Sequence, residues 1–182
     1  MAISQQELTS TACALLCASI ASIHDIRERR IPNPLCAVAI MMGLAMHTAL
    51  AGWHGLGDSA MAGLLAGGLS LVFWIAGGMG AGDVKLMAAV GCLTGFPPLR
   101  MVLSATVIAG GVFALALSAY HGRLRETVRN VAVLIAHHQR EGLTPHPELN
   151  VRGPRTLSIP FALPIAAGCL YTLCTLAWGA QS

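Results

Sequence analysis

GLSLVFWIAGGMGAGDVKLMAAVGCLTGF, residues 68–96, holds one acid, Asp83, and one base, Lys85, between two apolar runs. A soluble globular domain places a charge at roughly every fourth residue. In the whole chain only 10% of 182 residues are charged and 55% belong to the hydrophobic set. That is the composition of a membrane protein. The length suits one compact domain, residues 1–182, and 20 glycines fit membrane helices that approach one another closely. The fold class predicted is therefore an all-α polytopic membrane protein.

Outward from this stretch, charge-free segments run over 8–23, 31–57, 59–82, 86–99, 101–122 and 156–182. A helix needs about 20 apolar residues to cross a bilayer, so the segments predict a bundle of about six transmembrane helices. The weakest is 86–99, which is short and ends at Phe96-Pro97-Pro98; it crosses only if Lys85 and Arg100 snorkel from its ends. With six spans, Arg27, Arg29, Arg30, Lys85, Arg123, Arg125, Arg129, Arg140, Arg152 and Arg155 fall on one side, and Arg100 alone on the other. The positive-inside rule then places both termini outside the cytoplasm. Dropping the fourth span would break this partition. The first apolar segment follows Glu7 and lacks a basic n-region, so it is read as a retained helix.

One hydrophilic stretch, at about 121–157, is expected as a cytoplasmic loop. Within it RETVRNVAVLIAHHQR, residues 125–140, mixes basic and apolar residues and is expected on the membrane surface. TPHPELNVRGPR, residues 144–155, reads as irregular loop. The cysteines, Cys13, Cys17, Cys36, Cys92, Cys169 and Cys174, contain no C-x-x-C pair and lie in apolar segments, where they behave as small hydrophobes. His137, His138 and His146 miss the spacing of metal ligands. No metal, cofactor or nucleic acid is predicted, and the net charge of +3 decides nothing by itself.

An ionised Asp at the centre of a membrane helix costs roughly 2.5–3.5 kcal/mol on insertion scales, so each such acid calls for an explanation. Asp25 ends the first span in SIHDIRERRIPNP, Asp83 opens the fourth, and Asp58 lies in GWHGLGDSA on the opposite side. Two carboxylates in a poorly solvated site share one proton and can act together as general base and general acid, which is the chemistry of aspartyl proteases. Gly77, Gly78, Gly80 and Gly82 would leave room for a substrate strand beside Asp83. The bland alternative is that Asp83 caps its helix and Asp25 pairs with a nearby Arg. On the residues alone the two readings stand level.

GAGDVKL resembles the G-x-G-D-x-K-L motif of the type IV prepilin peptidases, a family of G-x-G-D intramembrane aspartyl proteases. DIRERRIPN, with Ile31-Pro32-Asn33, resembles the family's segment in which an Asp precedes basic residues, and SIPFALPIAAG at 158–168 resembles the stretch opening its last helix. The resemblance covers residues from about 20 to 170. It implies that Asp25 and Asp83 are the catalytic dyad, that Gly80 and Gly82 belong to the signature loop, and that Lys85, Pro32 and Asn33 adjoin it. It further implies a multi-pass enzyme of the bacterial inner membrane that cleaves leader peptides at the cytoplasmic face. Large family members carry paired C-x-x-C motifs and also methylate the new N-terminus. Without those motifs this chain resembles the short form of tight-adherence, or Flp-type, pilus systems. Its implied substrates are Flp-type prepilins and pseudopilins, with no methyl transfer. Contact with pilus assembly machinery and homo-oligomers fit the same reading.

Among the remaining residues, Lys85 either influences the Asp83 carboxylate and substrate or marks a cytoplasmic helix end. His24 adjoins Asp25, yet helix neighbours point about 100 degrees apart. Arg27, Arg29 and Arg30 are accounted for as topology signals, and Asp58 as a cap. The rival function classes are a small proton-coupled transporter, which should hold its acids near mid-membrane, and a non-catalytic pilus or secretion assembly factor.

Overall fold

A computed structural model of the chain describes residues 5–142, 144 and 161–180. Among the described residues there are six helices and no strand: α1 (Gln5–Glu28), α2 (Asn33–Ile75), α3 (Ala81–Thr94), α4 (Phe96–Tyr120), α5 (Leu124–Glu141) and α6 (Ala162–Gly179). Helices α1, α2, α4 and α6 are long and apolar enough to cross a membrane. The chain is thus an all-α polytopic membrane protein.

At 43 residues, α2 has twice the length that one crossing requires. It is two arms joined at Ala51 (φ −132°, ψ 15°) and Gly52 (φ 59°, ψ −142°), the second a conformation that only glycine adopts without strain. Both arms lie against α3. Gly43 of the first arm faces the Cys92 carbonyl, while Gly91 of α3 faces the Ala62 carbonyl of the second. The sequence places this reversal in GWHGLGDSA, residues 52–60, and the structure turns at its first residue, because Gly52 supplies the backbone geometry of the turn. Asp58 is engaged elsewhere, since its carboxylate accepts the Phe96 N–H at 3.0 Å and caps α4.

Helix α3 also departs from expectation, since it covers 81–94 and not 86–99. Pro97 and Pro98 do not end it; they sit in the first turn of α4, where missing N–H groups cost nothing. At 1.5 Å per residue α3 is about 21 Å long, against about 30 Å of bilayer hydrocarbon. It is a core helix, with Leu86, Met87, Ala89, Val90 and every residue from Gly91 to Gly95 buried. The arms of α2 and α1 enclose it, and α6 packs on α1 and α4. Small residues make this possible: Ala14, Cys17, Ala18 and Ala21 form the buried face of α1.

The helices alternate in direction, so the connections sort to two ends. At one end Gln6 meets the buried His47 at 3.4 Å, His47 Nε2 lies 3.1 Å from the Leu93 carbonyl, and Asp58 caps α4. The start of α1 and the end of α6 both lie there, because Thr175 of α6 reaches Met101 near the start of α4. The opposite end gathers the connections after α1, α2 and α4, and with them Asp25 and Asp83.

Candidate active site

The first acid stands where α1 stops. Arg29 takes a left-handed conformation (φ 51°), and its N–H donates to the Asp25 carbonyl at 3.0 Å, which closes the last turn. The chain then passes through Ile31 to Pro32, the extended residue that precedes α2. Asp25 is half-buried, and its carboxylate accepts a hydrogen bond from the backbone N–H of Ala162, the first residue of α6. A helix N-terminus therefore faces this acid.

The second acid stands where α3 begins, and several residues of GGMGAGD have a separate part in bringing it there. Gly77 (φ 79°) ends α2: its N–H donates to the Trp74 carbonyl and the Gly78 N–H donates to the Phe73 carbonyl, the paired bonds of a Schellman turn. Met79 is buried and anchors the connection. Gly80 precedes α3, and the Asp83 carboxylate folds back to accept its N–H. A Cβ on Gly80 would stand 2.9 Å from Asp83 Oδ2, so glycine leaves the room that the carboxylate occupies. The N-cap position of α3 is Gly80 and Asp83 stands inside the first turn, and among the described residues Asp25 forms no ion pair with an Arg.

Two further contacts lock the segments together. Gly82 packs on Ile31, with 3.4 Å between the position of a Cβ and that of Ile31, and Lys85 Nζ donates to Asn33 Oδ1 at 2.9 Å. Lys85 is thus engaged with Asn33, and among the described residues it forms no ion pair with Asp83. Pro32 lies between these contacts. His24 Nδ1 lies 3.7 Å from Glu28 Oε1 along its own helix. Residues 158–160 of the third sequence segment, and His146, Arg152 and Arg155, lie outside the described residues.

Asp83 precedes the apolar run of α3 and sits at the surface end of the bundle. Burial, and after it the charge of Asp25, push its carboxyl up to about 7, against the lowering effect of the Gly80 N–H. The two acids are therefore near enough to feel each other's charge. A carboxyl that keeps its proton near neutral pH can donate it, while a second carboxylate held by a backbone N–H can accept one. Among the described residues no three His, Cys, Asp or Glu side chains converge as metal ligands do.

Sequence reading picked out both acids, but not the Ala162 N–H on Asp25 or the fixed turn at Arg29. A backbone donor carries no side-chain signature, so position in the fold alone reveals it.

Helices that cross a membrane in alternation, with two acids at one end of a buried core helix, define an all-α polytopic membrane protein with a surface-end acid pair. The chain belongs to the type IV leader peptidase family, whose pattern matches residues 12–115. It is similar to two proteins named prepilin leader peptidase/N-methyltransferase, one from Aeromonas salmonicida strain A449 and one from Aeromonas salmonicida; each is 34% identical over 101 residues, covering 51% of this chain and 34% of the relative. The match thus spans about a third of the length of these relatives. No solved structure matches the chain.

Proposed function

We propose that this protein is a membrane-embedded aspartic endopeptidase that cleaves the leader peptide of prepilins, with Asp25 and Asp83 as its catalytic pair. The observation that carries the reading is the meeting of two acids, 58 positions apart in sequence, at one end of the bundle, near enough for the charge of Asp25 to add to burial in raising the Asp83 carboxyl. Membership of the type IV leader peptidase family supports the substrate class. In the reaction the ionised carboxylate takes a proton from water, which attacks the peptide carbonyl. The protonated partner polarises that carbonyl and then protonates the departing amine, so one proton is passed across the pair in each cycle. Half-buried Asp25 admits the water this needs.

Flp-type prepilins and pseudopilins are the proposed substrates, cut at the cytoplasmic face of the bacterial inner membrane. The test is co-expression with an Flp-type prepilin, following leader loss by gel shift in wild type, Asp25→Asn and Asp83→Asn. Both substitutions keep shape and remove a carboxylate, and both should abolish the shift. Processing at the wild-type rate by either variant would refute the dyad.

A further inference from the structure

Helix α5 carries a surface that the protease reading leaves unused. At about 100 degrees per residue, Leu124, Val128, Val131 and Ile135 fall within one sector about 60 degrees wide. Each is between 42 and 58% exposed, and among the described residues α5 packs chiefly on α4. Arg125, Arg129 and Arg140 fill the adjoining sector, between about 100 and 160 degrees from Leu124. The acids of α5 do not cancel them fully: Glu126 is held in a two-point pair by Arg123, and Glu141 lies at the last residue, 3.6 Å from His137. An apolar stripe bordered by arginines is the pattern of a helix lying in a membrane interface.

The corner that leads into α5 is built and not loose. Gly122 (φ 67°) donates to the Ala119 carbonyl and Arg123 to the Ser118 carbonyl, the same paired bonds that close α2, and Ser118 Oγ bonds Thr127 Oγ1 across the corner. Apolar side chains are exposed on both sides of it. Leu115 and Tyr120, exposed at the end of the membrane-crossing α4, lead directly to Leu124. An aromatic at the end of a span marks the interface level, so α5 begins where headgroups begin.

We infer that α5 docks on the bilayer surface at the acid-bearing end of the bundle, its Leu124–Ile135 stripe in the acyl boundary and its arginines on anionic lipid headgroups. Charge complementarity and the attachment to membrane-crossing α4 select lipid over a protein partner. The test uses the full chain in nanodiscs, with Cys13 and Cys174 changed to Ser and a fluorophore placed through Val131→Cys on the stripe or Val133→Cys on the opposite face. Doxyl-labelled lipid should quench the Val131 probe about threefold more than the Val133 probe. The difference should be larger with phosphatidylglycerol than with phosphatidylcholine alone, and Arg125→Gln, Arg129→Gln and Arg140→Gln together should remove that dependence. Equal quenching at the two positions overturns the docking, as does a Val131→Cys disulfide between two copies without lipid quenching, and lipid-independent quenching overturns the anionic partner. Val133 is 41% exposed, so both probes sit on surface positions and neither variant requires repacking.

Discussion

Gly80 shows how much of the site depends on a side chain that is absent. A methyl group there would meet Asp83 Oδ2 at 2.9 Å, and a carboxylate can rotate away at small cost, so Gly80→Ala should fold as well as wild type. The displaced acid should lose about 100-fold in leader cleavage, the scale on which a misplacement of about 1 Å acts. Unchanged thermal unfolding with reduced cleavage is the expected result. Asp83 also sets a pH dependence. Its carboxyl is raised to about 7, so the proton is retained below that pH and lost above it. Cleavage should therefore fall through an alkaline limb centred near 7, by about tenfold for each further pH unit, because the doubly ionised pair has no acid to offer. A rate that stays flat from pH 7 to pH 9 would remove Asp83 from the role of acid. Lys85, by contrast, donates to Asn33. Its sequence position beside an acid suggests an electrostatic part, and only the folded arrangement reveals that it pins α2 to α3.

At the scale of helices, the sequence was legible where the physics is local and opaque where it is not. Charge-free length predicted the spans, and glycine content predicted close helices. The boundaries moved for two reasons visible only in three dimensions. Prolines 97 and 98 fit a helix start as well as a helix end, and the reversal in α2 follows one glycine conformation while the charge on Asp58 caps a different helix. Close approach is testable directly. A Cβ on Gly43 would lie 2.5 Å from the Cys92 carbonyl oxygen, and one on Gly91 would lie 2.6 Å from that of Ala62. Both neighbours are backbone, so the arms of α2 would have to separate from α3. Gly43→Ala and Gly91→Ala should each destabilise by about 1–3 kcal/mol, the range for overpacking, whereas Gly68→Ala, which meets nothing within 4 Å, should be neutral. Thermal unfolding in detergent compares the three. Equal behaviour of all three would mean that α2 and α3 are not packed as described.

On the scale of the whole molecule, segments near residues 25, 83 and 162 come together because the helices alternate, and no local sequence pattern carries that fact. A resemblance could name the segments; the fold supplies the reason they meet. The same alternation determines what an orientation experiment must find. The connections after α1, after α2 and after α4 lie at the acid end, together with Arg27, Arg29, Arg30, Lys85 and Arg123, while the start of α1, the end of α6 and Arg100 lie toward the other. Basic residues near span ends are retained in the cytoplasm, so the acid end should face it. Reporter fusions separate the two orientations. Alkaline phosphatase joined after Gly122 should be inactive and a fluorescent protein there bright, with the reverse pattern for fusions after Gly52, at the turn of α2. These two positions mark opposite ends of the bundle, so a shared result at both would contradict the alternation itself. An exchanged result would keep the fold and turn the acids outward. Asp25 and Asp83 would then be separated from any leader peptide held in the cytoplasm, and the proposed cleavage would fail on geometry even with the pair intact.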